Sequence, residues 1–281
     1  MPEQPVAVLL HPYLAAAGTA TTALGPASLG HTLDVLGCLD APALSVLPEG
    51  QLPALSAALR ERSRPGHAIV HPGRLGATAA VALAALQLLT RDSDPLMLIC
   101  ADPLRLIDRT HLLELLQQAA PLAGGGAILS LATLQPQRGQ PAARYQLLTA
   151  PAQADGARRV QQVHLHTRTG ALPVTDAEPL YATGVCLTRA STCLHALALH
   201  TPAVLAACRL ALEQARQGKT RLRTPGRGCA PACELHCVWP DPAALRRATG
   251  GDIEHQLLAR VQPHWALPCD RHWLPSSAAL R

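Results

Sequence analysis

The chain has 281 residues, 48% of them hydrophobic and 15% charged, and carries a net charge of +5. That apolar content excludes a disordered chain and suffices for a sizeable core in one large domain or two small ones. Mild basicity with only 2% aromatic residues gives base stacking little support and argues against nucleic-acid binding. Composition removes further options. Lys219 is the sole lysine and Asn is absent, so a lysine-dependent step must use Lys219 and no Asn side chain can act.

In chain order, short apolar runs at Val6 to Leu10, Leu44 to Leu47 and Ala68 to His71 read as strands. Ala77 to Leu89 has helical length and strong helix formers. Leu96 to Cys100 is a continuous apolar run of the buried-strand type. Asp108 or Thr110 can cap a following helix that runs to about Ala120 and stops at Pro121. The glycines at 124, 125 and 126 turn the chain into a strand from Ala127 to Thr133. This β-α-β-α-β order predicts an α/β fold with a mainly parallel sheet.

Beyond Gln135 the chain reads as a loop to Asp155, with one short strand at Tyr145 to Thr149. Val160 to His166 alternates as a half-exposed strand does, and Leu180 to Thr188 predicts another. Thr188 can cap a helix from Arg189 to about His200, and Thr201-Pro202 starts a second to about Arg216. Gly218 to Pro242 reads as a loop rich in Gly, Pro, Arg and Cys. Short helices are expected after Pro240-Asp241-Pro242 and after Gly250-Gly251-Asp252, and a strand from His264 leads into a tail.

Several local features carry chemistry of their own. Cys229, Cys233, His236 and Cys237 lie within nine residues, with Cys269 or His272 as outside ligands, but their spacing is not that of a zinc knuckle. His164 and His166 share a strand face, as metal ligands can. Gly218-Lys219-Thr220 ends like a phosphate-binding loop but lacks its leading Gly. The basic cluster Arg216, Lys219, Arg221, Arg223 and Arg227 reads as a solvated loop. Cysteines within apolar runs, such as Cys100, read as free thiols of a reducing, cytoplasmic environment. His11 and Pro12 interrupt the first apolar stretch, which argues against a secretory signal, and no run is long enough to span a bilayer.

Taken together and in order, residues 26 to 280 resemble the mannose-1-phosphate guanylyltransferases, a family of sugar-nucleotide pyrophosphorylases. The family's E-P-x-G-R-N-T-A-P-A segment is similar to His71-Pro72-Gly73-Arg74 and the Ala-rich run that follows. Its D-P-L-L-x-V-L-P-A-D strand resembles Asp94 to Asp102, and its W-N-S-G strand resembles Tyr181 to Gly184. Its x-P-x-I-L-x-A-C segment matches Thr201 to Cys208, its S-I-D-Y helix matches Asp252 to Arg260, and its last motif meets Asp270 to Ser277. The resemblance implies a Rossmann-like nucleotidyltransferase fold with a mixed, mostly parallel central sheet flanked by helices. It implies a single domain over 1–281, with a nucleotide-binding half at 1–134 and a sugar-binding half with C-terminal elements at 135–281.

The same resemblance assigns Asp102 and Arg74 to catalysis, with Asp102 as the Mg²⁺ ligand. It assigns Gly18, His71, Gly73, Tyr145, Thr183 and Gly184 to binding a nucleotide or sugar nucleotide such as GTP or GDP-mannose. The departures fall on the chemistry. The family's Gly-rich phosphate loop meets Leu10 to Thr19, which holds one Gly. Its two lysines have no counterpart, and its motif Asn falls on Ala182. Its motif Glu falls on His71 and a metal-binding Asp on Pro275. Losing phosphate clamps costs orders of magnitude in rate. The expectation is therefore an impaired member of the family that binds a nucleotide, a sugar nucleotide or a protein partner. Two alternatives stand beside it: an active nucleotidyltransferase using Mg²⁺, and a non-catalytic subunit that pairs with an intact paralogue or with its own copies.

Overall fold

Continuous apolar runs become strands buried on both faces. A computed structural model of the chain describes residues 4–10, 26–73, 75–90, 94–101, 104, 106, 108–135, 145–153, 156–165, 179–222, 233–248 and 250–270. Strands β1 (Val6–Leu10), β2 (Leu44–Pro48), β3 (Gly66–His71) and β4 (Leu96–Cys100) pair in parallel in the order β4-β1-β2-β3. Parallel strands need crossovers, and helices α2 (Leu52–Glu61) and α3 (Ala77–Leu89) supply two of them. One apolar core lies between the sheet and α3, α5 (Ala190–His200) and α6 (Pro202–Glu213). A second lies on the opposite face beneath α1 (Pro26–Val35), α2 and α4 (Arg109–Gly124). Helix α3 is Ala-rich because it is wedged between sheet and helices; Val81, Leu83 and Ala84 are fully enclosed.

Sheet composition departs from the sequence expectation. Strands β5 (Ile128–Thr133), β6 (Tyr145–Thr149), β7 (Arg158–Leu165) and β8 (Leu180–Arg189) continue the sheet beyond β4. So does β11 (His264–Pro268), which pairs in parallel with β5 and antiparallel with β7. The pairs β4–β8, β5–β8, β6–β7 and β6–β8 are all antiparallel. A mostly parallel sheet is thus not what forms. Because β8 pairs with β5 along one edge and with β6 at its start along the other, β5-β11-β7-β6-β8 closes into a ring. The ring is filled from every strand: Ala132, Tyr145, Leu147, Val160, Leu180, Ala182 and Ala266 form one cluster.

The segment read as a loop from Gly218 to Pro242 holds the other edge of the sheet. Strands β9 (Arg216–Leu222) and β10 (Cys233–Trp239) form an antiparallel pair, and β10 joins β3 in parallel. Adjacent strand residues face opposite ways. His236 therefore lies beside His67, with ring centroids 5.1 Å apart, whereas Cys237 is buried in the core beneath α1, α2 and α4. Among the described residues no group of three or more His, Cys, Asp or Glu is placed to hold a metal. Cys229, His272 and His166 lie outside those residues. The ring of His164 bonds the Gln162 side chain two residues away.

Helix ends also correct the sequence reading. Asp108 caps α4, accepting from Thr110 N at 2.8 Å and His111 N at 3.1 Å, but α4 passes through Pro121 to Gly124. Thr188 does not cap α5; its hydroxyl donates to Ala127 O at 3.2 Å. Asp94 serves α5 from outside instead, accepting from Ser191 N at 2.8 Å and Ser191 Oγ at 2.6 Å. After Asp241, whose side chain accepts from Ala244 N, comes the short α7 (Pro242–Leu245). Asp252 leads into a π-helical turn at Glu254–Leu258. No helix among the described residues is long and apolar enough to cross a membrane.

Candidate functional site

In a parallel sheet, the loops leaving the carboxyl ends of the strands form the crevice where ligands bind. His71 is the last residue of β3 and is buried. Its Nδ1 lies 2.6 Å from Gly73 O, and a carbonyl can only accept, so Nδ1 carries the proton. Burial pushes the His71 pKa below its ordinary value, and the bond to Gly73 opposes this only in part. A neutral ring protonated at Nδ1 keeps a lone pair on Nε2, which makes His71 a hydrogen-bond acceptor at this strand end. Among the described residues nothing lies within 4 Å of where a Gly73 Cβ would stand, so they leave the backbone here open to approach.

Helix α3 starts just beyond Gly73, and its first turn is clamped by a distant segment. Thr78 N and Thr78 Oγ1 both donate to Gly251 O, at 3.2 and 3.1 Å. A Cβ on Gly76 would collide with the Gly250 carbonyl, so only Gly fits at the helix entrance. Asp252 then accepts from the Tyr145 hydroxyl at 2.8 Å. Tyr145 at the start of β6 is thereby tied through residues 250–252 to the entrance of α3.

Thr183 and Gly184 lie where the β5–β8 register shifts between Ser130 and Ala132. Gly184 adopts φ +75°, a region that disfavours side chains, and its carbonyl accepts from Ala101 N at 2.7 Å. The Thr183 hydroxyl is fully buried and donates to Leu131 O at 2.8 Å, which locks the bulge. Under Gly184 sits a cavity of about 10 Å³, bordered by Ala101, Ser130, Ala182 and Glu254. That is room for one water at most. Ala101 immediately precedes Asp102, so this bulge sets where β4 ends. Asp102, Arg74 and Gly18 lie outside the described residues.

The structure thus places His71 and Gly73 at the end of β3, Thr183 and Gly184 in a bulge within β8 beside the end of β4, and Tyr145 at the helix clamp. Sequence reading missed Gly76, Thr78 and the bonds made by Gly251 and Asp252. Their only signal was the Gly250-Gly251 pair, which marks close backbone approach. The sole lysine is elsewhere. Lys219 pairs across β9–β10 with His236, which pairs with His67 near the start of β3. His71 is further along β3, roughly 13 Å at the usual strand rise, and two strands away from Lys219.

The buried thiols are inert by environment. Burial pushes Cys100, Cys193 and Cys208 up to about 12, and raises Cys186 and Cys269 well above the ordinary thiol range.

No protein-family model and no curated protein matches the chain. Solved structures do. One, mannose-6-phosphate isomerase from Helicobacter pylori, is similar at TM-score 0.67 and 14% identity, over 95% of this chain and 98% of that one. Another, mannose-1-phosphate geranyltransferase from Thermus thermophilus, is similar at TM-score 0.63 and 13% identity, over 94% of this chain and 73% of that one. At such identities the likeness is one of fold: the chain shares the mixed α/β architecture of these two proteins.

Proposed function

We propose that this chain is a diverged relative of the mannose-1-phosphate guanylyltransferases, impaired in nucleotidyl transfer, that binds a sugar nucleotide of the GDP-mannose type at the carboxyl ends of β3 and β4. The position of Lys219 carries this reading. Transfer at a phosphoryl group needs cations that gather its developing charge. The one lysine of the chain stands at the opposite end of the strands, on an edge. Binding asks less. His71 offers an acceptor nitrogen, Gly73 an open backbone, and in this reading Arg74 and Asp102 complete the pocket, with Gly18 on the phosphate side and Tyr145, Thr183 and Gly184 framing the sugar side.

The Mg²⁺ of the family finds a poor fit. Its second carboxylate position is Pro275. The carboxylates beside the α3 entrance and under the bulge are committed: Asp252 accepts from Tyr145, and Glu254 is buried with partners of its own. Of the family's paired carboxylates the sequence keeps Asp102 and has Pro275 in place of the other, so the pair that holds the ion in the family is incomplete.

Calorimetric titration with GDP-mannose and GTP, with and without Mg²⁺, tests the binding. A pyrophosphate assay with GTP and mannose-1-phosphate tests the chemistry. The expected result is saturable heat with GDP-mannose that Mg²⁺ leaves unchanged, with pyrophosphate release at least about 100-fold below an ordinary turnover of roughly 10 s⁻¹. Turnover in the ordinary range, abolished by Asp102→Ala, would establish the active alternative. Absence of heat, with co-purification of an intact homologue, would establish the subunit alternative.

A further inference from the structure

The amino ends of the same strands carry a second concavity. In register across the sheet stand Leu44 on β2, His67 on β3, His236 on β10 and Lys219 on β9. With Gln87 from the end of α3 and Gln217 from β9, the polar members of this row line a cavity of about 230 Å³. A neighbouring apolar cavity of about 170 Å³ shares Leu44, His67 and Gln87 with it, and is walled by Pro42, Leu88 and Pro95. The two form one groove, with an apolar end and an end that holds the sole lysine.

The charges in the groove select its occupant. Among the described residues no carboxylate pairs with Lys219. The nearby Glu234 is turned to His236, with its carboxylate 3.3 Å from Nε2, which orients that ring. Lys219 is exposed, so its ammonium is free to meet a ligand, while His67 and His236 are half-buried and held in place by their neighbours. A compact ammonium beside imidazole and amide donors suits a phosphate head. The adjoining apolar walls suit a non-polar body.

We infer that this groove is a binding site for a phosphate monoester with an apolar body, distinct from the pocket at the carboxyl ends. The head group meets Lys219, with His67, His236, Gln87 and Gln217 as further polar partners, and the body lies along Pro42, Leu44 and Leu88. The two sites are separated by the length of the strands, so each can be tested alone.

The probe is phenyl phosphate, titrated calorimetrically into the full chain, with phenol and inorganic phosphate as controls. Saturable binding of phenyl phosphate is expected, with inorganic phosphate weaker, phenol without measurable heat, and Lys219→Ala weakening phenyl phosphate at least tenfold. Lys219 is an exposed edge residue, so circular dichroism of the variant should match the parent. GDP-mannose titration of the same variant should be unchanged, because that ligand is assigned to the other end. No saturable binding of phenyl phosphate, equal binding by phenol, or an unchanged affinity in Lys219→Ala overturns the proposal. Loss of GDP-mannose binding in the parent protein would count against the proposed function and leave this groove standing.

Discussion

The two ends of the parallel strands differ in how they hold their polar groups. At the carboxyl end several of the described ones are spent on one another: His71 Nδ1 on Gly73, Thr78 on Gly251, Tyr145 on Asp252, Thr183 on Leu131. At the amino end the row of His67, His236 and Lys219 opens into a groove, and the ammonium has no acid partner among the described residues. Pre-organised backbone and neutral acceptors favour positioning, whereas an unpaired cation favours capture of an anion. Among the described residues the contrast places tight construction at one end and free charge at the other.

The hardest test of that contrast attacks the tight end. Gly76→Ala puts a methyl group into the Gly250 carbonyl, and neither backbone can give way without moving α3. A loss of about 3 kcal/mol is expected in urea unfolding. The amino-end groove should keep its affinity for phenyl phosphate in the folded fraction, since the clash is at the far end of α3. A cost below about 0.5 kcal/mol would show that the clamp is loose.

Acid acts next. The His264 side chain is fully buried in the ring, hydrogen-bonded through Nε2 to the Ser130 hydroxyl at 2.8 Å. Burial lowers its pKa from 6.5 to about 4, against a weaker upward pull from the Leu258 backbone. His71 is shifted in the same direction by burial. A histidine kept neutral by folding contributes stability above its unfolded pKa and loses it as pH falls. The expected profile is flat above pH 6.5 and declines from 6.5 toward 4, by up to about 3 kcal/mol for His264. Urea midpoints across pH 4 to 8 check it, and a profile unchanged down to pH 4 would show that neither imidazole is held neutral.

The mildest change is Tyr145→Phe. It removes the donor to Asp252 and leaves the ring core filled, at an expected cost of about 1–2 kcal/mol. If Tyr145 helps to frame the sugar side, GDP-mannose affinity should fall as well, while phenyl phosphate affinity stays. Equal losses at both sites would erase the distinction between the ends.

How much of this was legible depended on where each segment's partners lie. Strands β1 to β4 and helix α3 announce themselves because each is buried as a unit, and its apolar run is local information. Strands β9 and β10 do not. Arg216, Gln217, Lys219 and Arg221 make β9 read as a loop, yet charge is how an edge strand avoids pairing with another chain, and the Arg216 guanidinium lies 5.8 Å over the Trp239 ring. The closeness in sequence of Cys233, His236 and Cys237 suggests a ligand set, against which their spacing already speaks; what it hides is that β10 alternates its side chains between two faces. Ring closure was invisible for a different reason. It rests on one long strand, β8, serving three neighbours, and no local pattern encodes that. At the candidate site, a motif-like stretch located His71 and Gly73, but the Gly76–Gly250 contact joins segments too far apart in sequence for any window to see.

That separation bears on the order in which the molecule can assemble. Strand β11 sits between β5 and β7 although it follows both at long range in the chain, and the clamp on α3 joins positions 173 apart. Pairings of such long range cost more loop-closure entropy and come late. Strands β1 to β4 can associate while the ring is still an open sheet with two unsatisfied edges, β5 and β7. Until β11 arrives those edges can recruit a second nascent molecule, so the slow, aggregation-prone interval in folding belongs to the closure of the ring and not to the parallel strands.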